Sequence, residues 1–156
     1  MLAQYLENIE SMLDEAYRRL TDSDAQAGLD YLFISLNRIR SIAPPQDWRG
    51  QIVPQCRQNG LARILYQDPF THRSAQKLRG YPGDAVLLDF IYSSSHVQNE
   101  LDNATDLGRA IHRYLFNSAP GCAVRNRRDM IAKEIDKIAD SYAYCPSRVD
   151  TFEKRC

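Results

Sequence analysis

Arg79-Gly80-Tyr81-Pro82-Gly83-Asp84 is a glycine-rich, charge-flanked loop that breaks directly into the apolar run Ala85 to Tyr92. Gly80 and Gly83 can take positive φ and let backbone amides come close to a ligand, while Pro82 stiffens the turn between them. Such a loop presents Arg79 and Tyr81 in a fixed pose. Asp84 stands where a helix N-cap belongs, so the following helix aims its positive end at the loop and the Asp side chain occupies part of that anion site. Read from these residues alone, the segment is either a ligand-contacting loop or a tight connection capped by Asp84.

A second cluster, Arg125, Asn126, Arg127 and Arg128, opens what the spacing predicts as the last helix. Cations are disfavoured at the positive end of a helix dipole. Two accounts stand side by side: a solvated face on which Arg127 and Arg128 pair with neighbours such as Glu134, or an arginine turned inward toward an anion or toward Asp84 or Asp89. His72, His96 and His112 lack metal-ligand spacing, so no metal site is expected. No serine or cysteine lies in a nucleophile elbow, and no catalytic residue can be named.

These residues need a scaffold, and periodicity supplies one. Leu2, Tyr5, Leu6, Ile9, Met12, Leu13, Ala16, Tyr17 and Leu20 follow helical spacing, predicting a helix over about 2–21. Leu29, Leu32, Phe33, Leu36 and Ile39 repeat it until Pro44-Pro45 stops it. The two are expected to form an antiparallel hairpin. Pro45 begins a third helix that Pro54 kinks before Asn59-Gly60. Short helices are expected near 61–66 and 71–77, and others over 85–93 and 105–117. Ser93 to Ser95, Asn99 to Asp102 and Asn117 to Cys122 read as connectors, and a long final helix follows that last turn. No segment alternates with period two. The expectation is an all-α, single-domain bundle of about six or seven helices over 1–142, with an irregular tail over 143–156.

With 156 residues, 20 basic and 20 acidic side chains and 44% hydrophobic content, the chain is long enough for a real core and carries no net field to draw nucleic acid or an anionic membrane. Neither partner is expected. Cys56, Cys122, Cys145 and Cys156 form no framework and the amino terminus has no secretory pattern, which points to reduced thiols and a cytoplasmic location.

Three blocks in order, Gln67-Asp68-Pro69-Phe70, then Lys77 through Asp84 with Leu87-Leu88-Asp89-Phe90-Ile91-Tyr92, then Ala123-Val124-Arg125-Asn126-Arg127-Arg128, resemble the amino-terminal helical region of a bacterial family of class I S-adenosylmethionine-dependent methyltransferases. That family includes the makers of hydroxy fatty acid methyl ester signals. The resemblance covers roughly residues 45 to 140. It implies a cap over a cofactor and substrate cleft, with Gly80, Tyr81 and Gly83 toward the methyl donor or acceptor and Arg79, Asp84 and Arg125 holding the loop. It also implies a Rossmann-like sheet, for which Ser141 to Cys156 leaves no room, since one βαβ unit takes about 30 residues. The expected function is therefore a cap with S-adenosylmethionine as its ligand, inactive alone and working with a separate catalytic chain; the tail would suit a shortened or frame-shifted gene. The alternative is a helical interaction or regulatory module that dimerises through its first helices.

Overall fold

The computed structural model describes residues 2–22, 24–78, 80 and 84–143, with the side chains of 2–8 and 143 left aside. All of the described regular structure is helical, with no strand among these residues. The chain divides into two compact units, 1–118 and 119–156.

Helix α1 (Leu2–Asp22) buries Ile9, Met12, Leu13, Ala16 and Leu20 along one stripe. On its solvated side Glu15 accepts from Arg19 at 2.6 Å and also from Arg18. Those two guanidinium groups, Arg19 first, hold its carboxyl below the usual range. Helix α2 (Ala25–Ile42) starts where the Asp24 side chain accepts from the Gln26 amide and buries Gly28, Leu29 and Leu32. Gly28 is required by distance: a Cβ there would stand 2.7 Å from Leu20 Cγ and 2.9 Å from its backbone nitrogen.

Pro45 begins α3 (Pro45–Asp47), which runs through a π turn (Trp48–Ile52) into α4 (Val53–Gln58). The π turn takes the place of the kink expected from Pro54, which has no amide to continue the helical ladder. Asn59 ends α4 and its side chain accepts from the Leu61 amide at 2.8 Å, starting α5 (Leu61–Leu65). Next come α6 (Pro69–Gln76), α7 (Ala85–Tyr92), a 3-10 turn (Ser95–Val97), α8 (Gln98–Asp102) and α9 (Asp106–Asn117). Lys77 and Ser93 end α6 and α7 in the left-handed region, at φ 49° and 54°. In the first unit Ile9, Leu13, Leu29, Leu32, Ile52, Leu61 and Ile111 form one core, against which Trp48, Leu107 and Tyr114 pack. The second unit is described by α10 (Ala119–Ala143).

The bundle differs from the expected one. Instead of six or seven helices in one domain, the described residues form ten α-helical segments, a π turn and a 3-10 turn, in two units. The supposed connectors at 93–95 and 99–102 run into a 3-10 turn (95–97) and the single helical turn of α8 (98–102), too short to carry an apolar period. No free-standing amino-terminal hairpin exists: α1 also packs on α5 and α2 on α9, so the face the two helices share belongs to a core completed by later elements. Helix α10 starts at Ala119, taking Pro120 and Gly121 into its first turn, where a proline costs no hydrogen bond. The arginine cluster therefore lies in its second and third turns, where the dipole penalty has faded. No described helix is long and apolar enough to cross a membrane.

Candidate functional site

Two buried carboxylates frame the glycine-rich loop. Asp68 is fully buried: Oδ1 accepts from the Phe70 amide at 3.1 Å, and Oδ2 from the Thr71 amide at 3.0 Å and the Thr71 hydroxyl at 2.7 Å. It is the N-cap of α6, with Pro69 at the first helical position. Asp84 does the same for α7, its Oδ1 accepting from the Val86 amide at 3.1 Å. Its Oδ2 accepts from Nε of Arg73 at 3.0 Å, with Nη2 also at 3.0 Å. The guanidinium near the end of α6 is thus tied to the start of α7, across the loop.

The turn ahead of Asp68 lies flat on α9. A Cβ on Gly108 would come 2.2 Å from the Gln67 carbonyl oxygen, closer than any side chain allows. Thr105 caps α9 by accepting from the Gly108 amide at 3.0 Å and donates to Gln67 Oε1 at 2.6 Å. One turn later His112 Nδ1 stands 3.3 Å from Asp68 Oδ1, close enough for charge attraction yet not aligned for a hydrogen bond, and it makes none within the protein. Its ring is collared by Phe70, Phe90 and Phe116, with centroids 6.3, 5.9 and 6.2 Å away. Phe70 meets Phe90 edge-on at 6.2 Å. Edge-to-face pairs of this kind add about 0.5–1.5 kcal/mol each beyond their burial. These contacts and the Arg73–Asp84 pair join α6, α7 and α9 into one packed frame.

Of the residues singled out for the loop, Gly80 is described: it is exposed, at φ +78°, with open space where a Cβ would stand. Arg79, Tyr81 and Gly83 lie outside the described residues. Asp84 has both oxygens engaged, which makes it a support of the loop's far end. Arg125 belongs to α10, where its Nη2 donates to Cys122 Sγ at 3.3 Å. Further along that helix Arg128 pairs with Asp129 at 2.8 Å, and Glu134, the partner suggested by spacing, pairs with Lys137 at 2.6 Å.

Chemically, the frame positions its helices: Asp68 and Asp84 spend their hydrogen bonds on caps and on Arg73. Among the described residues no group of His, Cys, Asp or Glu could hold a metal ion. Cys56 and Cys122 form no disulfide, and burial pushes the Cys56 thiol up. Tyr114 donates to Asp30 at 2.7 Å, tying α9 to α2, and burial together with that carboxylate pushes its hydroxyl up to about 12.

Sequence reasoning missed Arg73, Gly108 and His112. Gly108 left a signal, a lone glycine inside an apolar helical repeat, which marks close backbone approach. Arg73 and His112 left none, because their partners lie 11 and 44 residues away in the chain. Comparison with known proteins adds no relative: no family model, no curated protein and no solved structure matches this chain.

Proposed function

We propose that this chain is a helical cap of the kind found in S-adenosylmethionine-dependent methyltransferases, holding a glycine-rich loop against the methyl donor or acceptor. The carrying observation is the convergence of two of the three resembling blocks. Gln67 to Phe70 and Asp84 to Phe90 are far apart in sequence, yet Phe70 meets Phe90 and Arg73 meets Asp84, bracketing the loop between them. Fixed loop ends lower the freedom that a ligand-contacting segment must give up on binding.

The residues present fit the cofactor in part. Gly80 suits a backbone that approaches a ligand, whereas Asp84 fits as a strut behind the loop. When bound, S-adenosylmethionine supplies an electrophilic methyl group. The chain's own residues place the loop: Asp68 fixes the start of α6, Arg73 fixes Asp84, and Asp84 fixes the start of α7. Asp68 and Asp84 are committed to helix caps and to Arg73, so neither is offered as a base for an acceptor. The cap accordingly works with a Rossmann-like catalytic sheet on another chain, in the cytoplasm, and transfers no methyl group alone.

Calorimetric titration with S-adenosylmethionine and S-adenosylhomocysteine tests this, with Tyr81→Ala as the control. Binding that disappears in the variant is the expected result. No heat at about millimolar ligand, a concentration that detects even a weak site, overturns the cofactor reading. Turnover by the chain alone overturns the non-catalytic one. The second reading, an interaction module, rests on Ile34 and Ile42 of α2, 62% and 59% exposed.

A further inference from the structure

A groove between α1 and α5 does not rest on the cap role. It holds about 520 Å³, within the roughly 300–1,000 Å³ over which small molecules are bound. Asp14 of α1 stands on one bank and Arg63 of α5 on the other, both exposed. They do not pair with each other. Among the described residues the Arg63 guanidinium has no hydrogen-bond or ion-pair partner, and Asp14 accepts only from Asn59 Nδ2, at 3.3 Å on Oδ1. The neighbouring carboxylate, Glu15, is already taken by Arg18 and Arg19. Opposite charges that line one groove without meeting leave room for a molecule that carries both signs.

The rest of the lining is set to receive one. Asn59 is fixed by two bonds, its Oδ1 accepting from the Leu61 amide at 2.8 Å while its NH2 holds Asp14. Gln67 Oε1 accepts from the Thr105 hydroxyl at 2.6 Å, which leaves the Gln67 NH2 to donate. Tyr17, 40% exposed, and Ile64 add apolar surface. Gly60 keeps that surface open without being required by the backbone: φ −55° and ψ −25° suit any residue, and a Cβ there would meet only Tyr17 Cε2, at 3.9 Å. A side chain at this position would fold well and would lie against Tyr17. We propose that the groove binds a zwitterionic α-amino acid with an aromatic or branched apolar side chain. Its carboxylate takes the Arg63 guanidinium and the Gln67 NH2, its ammonium takes Oδ2 of Asp14, and its side chain lies on Tyr17 and Ile64. Both charged partners are exposed, so the pairs are weak and the dissociation constant is about 0.1–1 mM.

Amide NMR titration of the full chain with L-phenylalanine and L-leucine decides. The expected result is saturable shifts centred on 14–17 and 59–67 with at least one of the two. Phenethylamine, which lacks the carboxylate, and 3-phenylpropionate, which lacks the ammonium, should each bind at least tenfold more weakly than L-phenylalanine. Asp14→Asn keeps an acceptor for Asn59 and removes the charge, while Arg63→Ala removes the guanidinium; each should weaken amino-acid binding at least fivefold with helical content unchanged by circular dichroism. Gly60→Leu should fill the groove and abolish the shifts. No shifts at about 10 mM of either amino acid, well above the expected constant, overturns the proposal. So does equal binding of the one-charge analogues, or binding that survives Arg63→Ala.

Discussion

The frame around His112 and the stripe along α10 invert the usual order of a protein. In the frame, charged groups are inside and satisfied: Asp68 and Asp84 are 0% and 2% exposed, each capping a helix. On α10 the apolar groups are outside, with Ile135 59% and Met130 68% exposed. Burying a carboxylate is tolerable only with its hydrogen bonds supplied, so the frame is finished as it stands. Exposing a row of isoleucines costs little in the isolated chain and gains on association. One region has its buried carboxylates satisfied by hydrogen bonds; the other presents apolar side chains to solvent.

Substitutions can break this comparison, and the largest effect should come from Phe90→Ala. That side chain is fully buried between Phe70 and His112, and its removal should cost about 3–5 kcal/mol in urea denaturation. A loss below about 1 kcal/mol, as at a surface site, would mean the aromatic collar is not a packed core. Gly108→Ala should follow, at about 1–3 kcal/mol, because the Gln67 carbonyl must move to admit the methyl group. An unchanged midpoint would show that the turn is free to lift from α9.

The Tyr114 hydroxyl gives a pH test of the same unit. Its folded pKa is raised to about 12, by burial and then by Asp30, from the ordinary value near 10. Its contribution to stability is therefore complete below pH 10 and is lost as pH rises through about 12. Absorbance titration should show a tyrosine step near pH 12 that moves down in Asp30→Asn; an unmoved step would separate Tyr114 from its partner. The smallest effect belongs to the other region. Ile135→Asp should change the stability of the monomer by no more than about 0.5 kcal/mol, and a larger loss would make the stripe part of a core.

Helix existence was legible wherever an apolar period ran for three turns, as in Ile9 to Leu20 and Leu107 to Leu115. One cap was legible too: Asp84 stands where the sequence placed an N-cap and accepts from the Val86 amide. Segmentation was not. Single turns such as 98–102 carry too few residues for a period, and Pro120 read as part of a connecting turn when it is a first-turn residue of α10. The candidate site was half readable. Asp84 was singled out, but its partner Arg73 and the Asp68–His112 approach depend on tertiary closure, which no local pattern records.

The π turn at Trp48–Ile52 has a meaning for chain length. A widened turn is an ordinary helical turn holding one residue more than it needs. Helix α3 enters it and α4 leaves it without a break, so the surplus is absorbed on the spot. A chain one residue shorter here would lose the widened turn, and Pro54, with no amide to donate, would then stand inside an ordinary helical turn and bend it.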